Sequence, residues 1–146
     1  MKQLEARNPD FKNTILKKLE GQHFMHLMGF DLTEIEAGRV EGEMLLEEKH
    51  LQQFGYVHGG VITTISDITM GFAAYSLVPL GSGTVTATIS VDFLNPGEGE
   101  KIKAIGKVEK AGSKLFFCTG EVWCTIKGKD KLVATAKSVM AVVPEK

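Results

Sequence analysis

The longest apolar segment of the chain runs from Gly59 to Leu77, and it places apolar groups on nearly every face of a helix. A helix that is apolar all round is a buried one. The pattern therefore predicts one long buried helix over residues 59–77. An earlier stretch, residues 9–20, has a single apolar face until Gly21 stops it, which predicts a first, N-terminal helix.

Elsewhere the apolar positions are spaced by two, which predicts strands. Two strands turn at residues 36–38 before the long helix. Four follow it: "TVTATISVDFL", "KIKAIGKVEK", "KLFFCTGEVWCTIK" and "KLVATAKSVMAVV". In the first of these four, apolar and polar residues alternate without interruption. Its polar face consists of Thr86, Thr88, Ser90 and Asp92.

The predicted elements fit a single α+β domain over residues 1–146. The connections are of hairpin length, so the strands are expected to be antiparallel. One apolar helix and one sheet with an apolar face bury each other best when the sheet wraps around the helix. The sequence therefore predicts an antiparallel sheet wrapped around one long buried central helix.

Composition narrows the function classes. The 146 residues are 43% hydrophobic and 24% charged, with a net charge of -1, which offers no global field for nucleic acid. The first twenty residues lack an apolar signal-peptide core, and no stretch is apolar enough to span a membrane. Cys118 and Cys124 lack metal-ligand spacing and are predicted to be buried, reduced thiols. We therefore expect a cytoplasmic protein.

The long helix begins with His58-Gly59-Gly60 and contains one charge, Asp67. A helix start presents unpartnered N–H groups that suit a developing oxyanion, and Gly59 is the candidate donor. The alternative is a plain tight turn into the helix. A carboxylate in an apolar segment must be hydrogen-bonded, paired or facing a wet cleft, so Asp67 is either a structural residue or a catalytic one.

Spacing connects these two features. Gly59 and Asp67 are eight residues apart, roughly 12 Å along a helix axis. A base and an oxyanion donor acting on one carbonyl must both lie within a few ångströms of it, so they cannot do so from the same helix. If the two cooperate, Asp67 comes from a second, antiparallel copy of the chain. The prediction is a homodimer with two composite sites.

These residues resemble a known family. The segment "HLQQFGYVHGGVITTISDITMGFAA" is similar to the signature of hotdog-fold acyl-CoA thioesterases of the PaaI type, in the 4-hydroxybenzoyl-CoA thioesterase-like superfamily. It has an amide residue, a Gly, His-Gly-Gly, and an Asp nine residues beyond the His. The resemblance covers roughly residues 24–143. It implies a hotdog fold, subunits joined edge to edge, and dimers or tetramers.

The resemblance also implies roles at matching positions. The Gly59 N–H binds the thioester carbonyl, and Asp67 of the partner is general base on water or nucleophile. His58 orders the helix start, and Thr86 helps hold the water or Asp67. Where the family usually has Asn, this chain has Gln52, with Gln53 beside it, so the register of the amide is open between the two. No metal or redox cofactor is implied.

The resemblance places coenzyme A near the turn after the fourth strand. Four residues there are candidates for its phosphates: Lys110, Gly112, Ser113 and Lys114. Lys101, Lys103 and Lys107 fit a solvated strand face better. His23 and His26 lack further metal ligands nearby and are expected to be ordinary helix-end residues.

The leading hypothesis is hydrolysis of an acyl-CoA thioester to free acid and CoA. One alternative is hydration or dehydration of an acyl thioester, with His58 as base. Another is a non-catalytic acyl-CoA binding module, suggested by the substituted Gln52. The acyl group and the choice between dimer and tetramer are open at this stage.

Overall fold

The computed structural model describes residues 4–146, so residues 1–3 of the predicted domain lie outside the described part. The helices are α1 (Phe11–Leu19), α2 (His23–Met28) and α3 (Gly59–Tyr75), and one turn of 3-10 helix spans Glu48–His50. The strands are β1 (Asp31–Glu36), β2 (Arg39–Leu45), β3 (Ser82–Phe93), β4 (Lys101–Ala111), β5 (Leu115–Ile126) and β6 (Lys129–Pro144).

The six strands form one antiparallel sheet in the order β1-β2-β4-β5-β6-β3, and the sheet packs around α3. This is the predicted architecture. Burial alternates along the central strands because every second side chain faces α3. In β4 the inward positions Ile102, Ala104 and Val108 are at most 6% exposed. The core therefore lies between the inner face of the sheet and α3.

Gly106 lies where α3 crosses the sheet most closely. A Cβ placed on Gly106 would lie 2.5 Å from the carbonyl oxygen of Thr69 and would also collide with the backbone nitrogen of Met70. Gly106 pairs across the ladder with Gly120, on whose position the Met70 side chain rests. The helix therefore packs directly on the backbone of β4, and this contact fixes its height above the sheet.

Strand β3 is an edge strand, and in the described part of the chain its one partner is β6. Its register shifts between Thr86 and Thr88, so that Ala87 is an extra residue without a partner on β6. This bulge corrects the uninterrupted alternation expected for the strand. Thr86 contacts α3. Thr88, which the alternation places on the same face as Thr86, instead lies on the opposite side of the sheet beside Phe117.

The helix boundaries also differ from those expected. The first helix is shorter than residues 9–20, and the unpredicted α2 follows it, beginning at His23 and including His26. The central helix ends two residues early, at Tyr75. It ends there because the Ser76 hydroxyl bonds back to the Ala73 carbonyl at 2.6 Å and accepts the Gly38 N–H at 2.7 Å.

Candidate active site

Asp67 lies in the middle of α3, half-buried and facing β3. The Thr86 hydroxyl donates to Asp67 Oδ1 at 2.6 Å, because the bulge at Ala87 turns Thr86 towards the helix. Within residues 4–146 the other oxygen, Oδ2, makes no hydrogen bond, and the carboxylate has no ion-pair partner. Asp67 therefore has one oxygen held and one facing an open cavity of about 300 Å³.

The start of α3 is organised by His58, which is its N-cap residue. Its Nδ1 accepts the Gly60 N–H at 2.8 Å, and its backbone N–H donates to the His50 carbonyl at 2.9 Å. Because the Nδ1 lone pair is occupied, the neutral ring has its proton on Nε2 and offers no free lone pair. This arrangement suits a cap and disfavours the alternative in which His58 acts as a base.

Gly59 is the first residue of α3, and its N–H has no hydrogen-bond partner within the described part of the chain. It lines a second cavity, of about 370 Å³, together with Gln52 and Phe93. The helix start thus presents a fixed, open donor at its positive end.

Gln52 lies at the rim of this second cavity, whereas Gln53 is exposed and does not line it. The side-chain oxygen of Gln52 accepts the backbone N–H of Phe54. Only the amide oxygen can accept from an N–H group, so the NH₂ of Gln52 remains to donate. Gln52, rather than Gln53, is therefore the amide residue next to Gly59.

The two cavities are separate. Asp67 and Thr86 line one, Gly59 and Gln52 line the other, and no described residue is common to both. Both groups lie on one unbroken helix, so the separation of roughly 12 Å expected from their spacing applies. Within one chain, the acidic and the amide halves of the predicted site do not meet.

The β4–β5 turn, Gly112 to Lys114, lines neither of these two cavities. The exposed Lys110, near the end of β4, and Lys114, in the turn, form no ion pairs among the described residues. Arg7 joins them, since its guanidinium donates to the Gly112 carbonyl at 2.9 Å and lies 5.5 Å from the centre of the Phe116 ring. The turn is therefore a basic cluster with one more cation than the sequence indicated.

Comparison with known proteins identifies the family. The model of the thioesterase superfamily matches residues 54–131, a span that includes Gly59, Asp67 and Thr86. The chain belongs to the thioesterase superfamily. Human acyl-coenzyme A thioesterase 13 is 27% identical over 136 residues, covering 92% of this chain and 95% of the human protein.

Two solved structures resemble this thioesterase. A thioesterase family protein from Silicibacter pomeroyi has a TM-score of 0.90 at 27% identity, covering 92% of this chain and 99% of the other. The Escherichia coli PaaI protein from the phenylacetic acid degradation operon has a TM-score of 0.84 at 18% identity, covering 97% and 99%. These likenesses confirm the hotdog fold. The family model and the human relative confirm the predicted family, and with it the prediction of a thioester-hydrolysing enzyme.

Sequence reasoning missed His50, which is 1% exposed. Its Nδ1 accepts the Glu47 N–H at 3.0 Å, its Nε2 bonds the Met28 carbonyl at 2.7 Å, and its own carbonyl holds His58. His50 therefore positions the loop that leads to the start of α3. The only local signal was its place two residues before Gln52.

The thioesterase has no group of three His, Cys, Asp or Glu side chains arranged for a metal ion in residues 4–146. Its two cysteines are free and buried, as predicted. In the same part of the chain, no helix combines the length and the apolar character that crossing a membrane requires.

Proposed function

We propose that this thioesterase hydrolyses acyl-CoA thioesters, and that each site combines Gly59 of one subunit with Asp67 of another. The observation that supports this most is the hydrogen bonding of the Asp67 carboxylate and of the Gly59 N–H. Asp67 has one oxygen held by Thr86 and one open to a cavity, and the Gly59 N–H is unpartnered beside a different cavity. The name of the human relative supports acyl-CoA as the substrate class.

The proposed dimer pairs two copies along β3. That strand is twelve residues long, lies at the edge of the sheet and has a largely exposed surface, with Phe93 55% exposed. Unpaired N–H and C=O groups along such an edge favour addition of another strand. Antiparallel pairing of two copies brings their α3 helices side by side in opposite directions, so that the start of one lies near the middle of the other.

In the proposed reaction, Oδ2 of Asp67 accepts a proton from water while the water oxygen attacks the thioester carbonyl carbon. The Thr86 hydroxyl fixes Oδ1, which orients the carboxylate. The N–H of Gly59 and the NH₂ of Gln52, from the other subunit, donate to the developing oxyanion. Collapse breaks the C–S bond, the thiolate takes up the proton, and the products are the free acid and CoA.

The basic turn is assigned to the CoA phosphates. Lys110, Lys114 and Arg7 supply three cations there, and Gly112 has no room for a side chain because a Cβ would lie 2.6 Å from the Leu115 carbonyl oxygen. A glycine turn beside flexible cations suits phosphate groups. No step of the proposed reaction requires a metal or a redox cofactor.

Two variants test the separate halves. Asp67→Asn keeps the Thr86 contact and removes the base. Gly59→Pro removes the N–H and adds a ring that fits the backbone here, since proline suits the first helical position and His58 already has the extended ψ of 135° that a following proline requires. Each change is expected to lower kcat by about 10²–10³-fold or more in a thiol-release assay. Gly59→Ala is the matched control, because it adds the same Cβ but keeps the N–H.

Mixing the two inactive chains tests whether the halves belong to different subunits. When Asp67→Asn and Gly59→Pro chains with different tags are co-expressed, each mixed dimer has one site with two native halves. Activity is expected to recover to about a quarter of the native value in an equal mixture, given a two-fold symmetric dimer. No recovery in isolated mixed dimers contradicts the composite site, and full activity of Asp67→Asn contradicts its role as base.

A further inference from the structure

The outer face of the sheet, which is the face directed away from α3, has its charges arranged in two rows. The strands pair in regular register along both rows, from β2 across to β3. The cations of the basic row lie on β2, β4 and β6: Arg39, Lys107 and Lys137. The anions of the acidic row lie on β2, β5 and β3: Glu41, Glu121 and Asp92. The two rows are two residues apart along each strand, or about 7 Å.

Most of these charges have no partner within the chain. Arg39 forms ion pairs with Glu41 and Glu34. The other four charges of the two rows are exposed and form no ion pair among the described residues: Lys107, Lys137, Glu121 and Asp92. The face therefore presents unneutralised cations in one row and unneutralised anions in the next.

Apolar side chains flank the two charged rows. Phe117 pairs with Val139 beyond the basic row, and Trp123 pairs with Leu132 beyond the acidic row. Phe117 is 43% exposed, and the other three side chains are half-buried. The order of the four rows across this face is therefore apolar, basic, acidic, apolar.

This order is complementary to itself. A two-fold axis that runs parallel to the rows, between the basic and the acidic one, exchanges each row with its counterpart in a second copy. The axis crosses β5 at Gly120, so Phe117 faces Trp123 of the second copy, because each is three residues from Gly120. It crosses β4 at Gly106, so Lys103 faces Glu109 of the second copy in the same way. Opposite charges meet in the middle, and apolar side chains meet on both sides.

From this pattern we infer that the outer face of the sheet binds the same face of a second copy of this chain. Lys107 and Lys137 of one copy lie against the acidic row of the other, which gives the unpaired charges partners. The Phe117 ring covers Trp123 of the second copy. Together with pairing along β3, which is part of the proposed function, this contact produces an assembly of four chains.

The inferred axis is compatible with the proposed β3 dimer. In a closed assembly of four chains the two-fold axes must intersect. The axis between the rows crosses β3 at Val91, between Ser90 and Asp92. The dimer axis lies close to Ser90, midway between Phe93, which lies against Gly59, and Thr86, which bonds Asp67. These two positions follow from different contacts and differ by about one residue, or roughly 3.4 Å.

The area of the face also fits such an assembly. The five strands from β2 to β3 span about 24 Å, and the four rows span about 27 Å. Each chain therefore offers about 650 Å², and a β3 dimer offers about 1,300 Å² on one continuous surface. A stable interface needs about 800 Å² on each partner. A β3 dimer meets this requirement, whereas a single chain does not.

The test measures the mass of the full chain in solution by light scattering over a range of concentrations. We expect the mass of four chains. Lys137→Glu places a carboxylate against the acidic row of the second copy and is expected to halve the mass. Phe117→Ser removes the apolar contact and is expected to have the same effect. Lys129→Glu is the matched control, because it makes the same charge change at an exposed position of β6 outside the four rows.

The fluorescence of Trp123 reports the contact directly, since the chain has one tryptophan. Its indole N–H donates to Glu121 at 3.0 Å, so the ring lies beside the acidic row. Separation of the two faces exposes this ring to water. Its emission is therefore expected to shift to longer wavelength in Lys137→Glu and not in Lys129→Glu. Thiol release per chain, unchanged in both variants, shows that they are folded and still paired along β3.

The possible masses separate this inference from the proposed function. A mass of two chains at every concentration, unchanged by Lys137→Glu, overturns the inference and leaves the β3 dimer in place. A mass of four chains that persists in both Lys137→Glu and Phe117→Ser also overturns it, because the four chains then meet through another face. A mass of one chain overturns this inference and the composite site together.

Discussion

Replacement of Gly106 by alanine tests the contact between α3 and the sheet. A Cβ at this position collides with the backbone of Thr69 and Met70, and no side-chain rotation relieves a clash with backbone atoms. The helix must therefore move away from β4 by about 1 Å to restore ordinary van der Waals separation of about 3.5 Å. Such a movement loosens the core along the whole length of α3.

The expected loss of stability in Gly106→Ala follows from this displacement of the helix. Overpacking that side chains can absorb costs about 1–3 kcal/mol, and a backbone clash belongs at or above the upper end of that range. A loss of about 3 kcal/mol corresponds to a fall in Tm of roughly 6–12 °C for a chain of this size. Activity per folded molecule is expected to fall as well, because Asp67 and Gly59 move with the helix.

Urea unfolding of three glycine variants measures the effect. Gly120→Ala is expected to cost less than Gly106→Ala, since its Cβ meets the flexible Met70 side chain and the Ile105 carbonyl oxygen at 3.4 Å. Gly21→Ala is the control, because its nearest neighbour is 3.7 Å away. If the free energy of unfolding of Gly106→Ala lies within about 1 kcal/mol of the native value, with an unchanged m-value, the reasoning is refuted.

Three further predictions concern His50 and the two cysteines. His50→Ala leaves two partly buried backbone groups unpaired, the Glu47 N–H and the Met28 carbonyl, and is expected to lower the free energy of unfolding by about 2–4 kcal/mol. The exposed His26→Ala is expected to stay within about 1 kcal/mol of the native value. Equal urea midpoints for the two variants would contradict the positioning role of His50. Burial raises the pKa of the Cys118 thiol from 9.0 to about 11. Between these two pH values the native protein keeps a proton that the unfolded chain releases. The free energy of unfolding is therefore expected to fall as the pH rises from about 9 to about 11. At about pH 8, alkylation is expected to label Cys118 and Cys124 only after denaturation, and rapid labelling of the native protein would argue against their burial.

Much of the fold could be predicted because its signals are local. The all-round apolar character of α3 and the period-two pattern of the strands are visible within single segments of the sequence. The helix α2 was missed because six residues are too few to display a helical period. The bulge at Ala87 was missed because nothing in "TVTATIS" marks where a partner strand shifts its register.

The candidate site also contains some residues that the sequence reveals and others that only the structure reveals. Asp67, Gly59 and His58 stand out because their residue types are unusual in an apolar helix or at its start. Tyr75 and Glu145, 70 residues apart, meet only through the packing of the chain end against α3, and Arg7 reaches Gly112 over 105 residues. No spacing rule links such pairs, so long-range contacts of this kind require the structure.

The extra residue in β3 has a consequence for how this strand tolerates change. Ala87 is exposed and its side chain has little to contact, so many residue types should be accepted there. Deleting it would remove the bulge and make Thr86 and Thr88 neighbours on opposite faces, as they are now, so Thr86 would keep its place opposite Met140 and facing α3. Loss of this one residue is therefore expected to keep the Thr86 hydroxyl beside the Asp67 carboxylate, so the strand should accept a shorter chain at this point as well as other residue types.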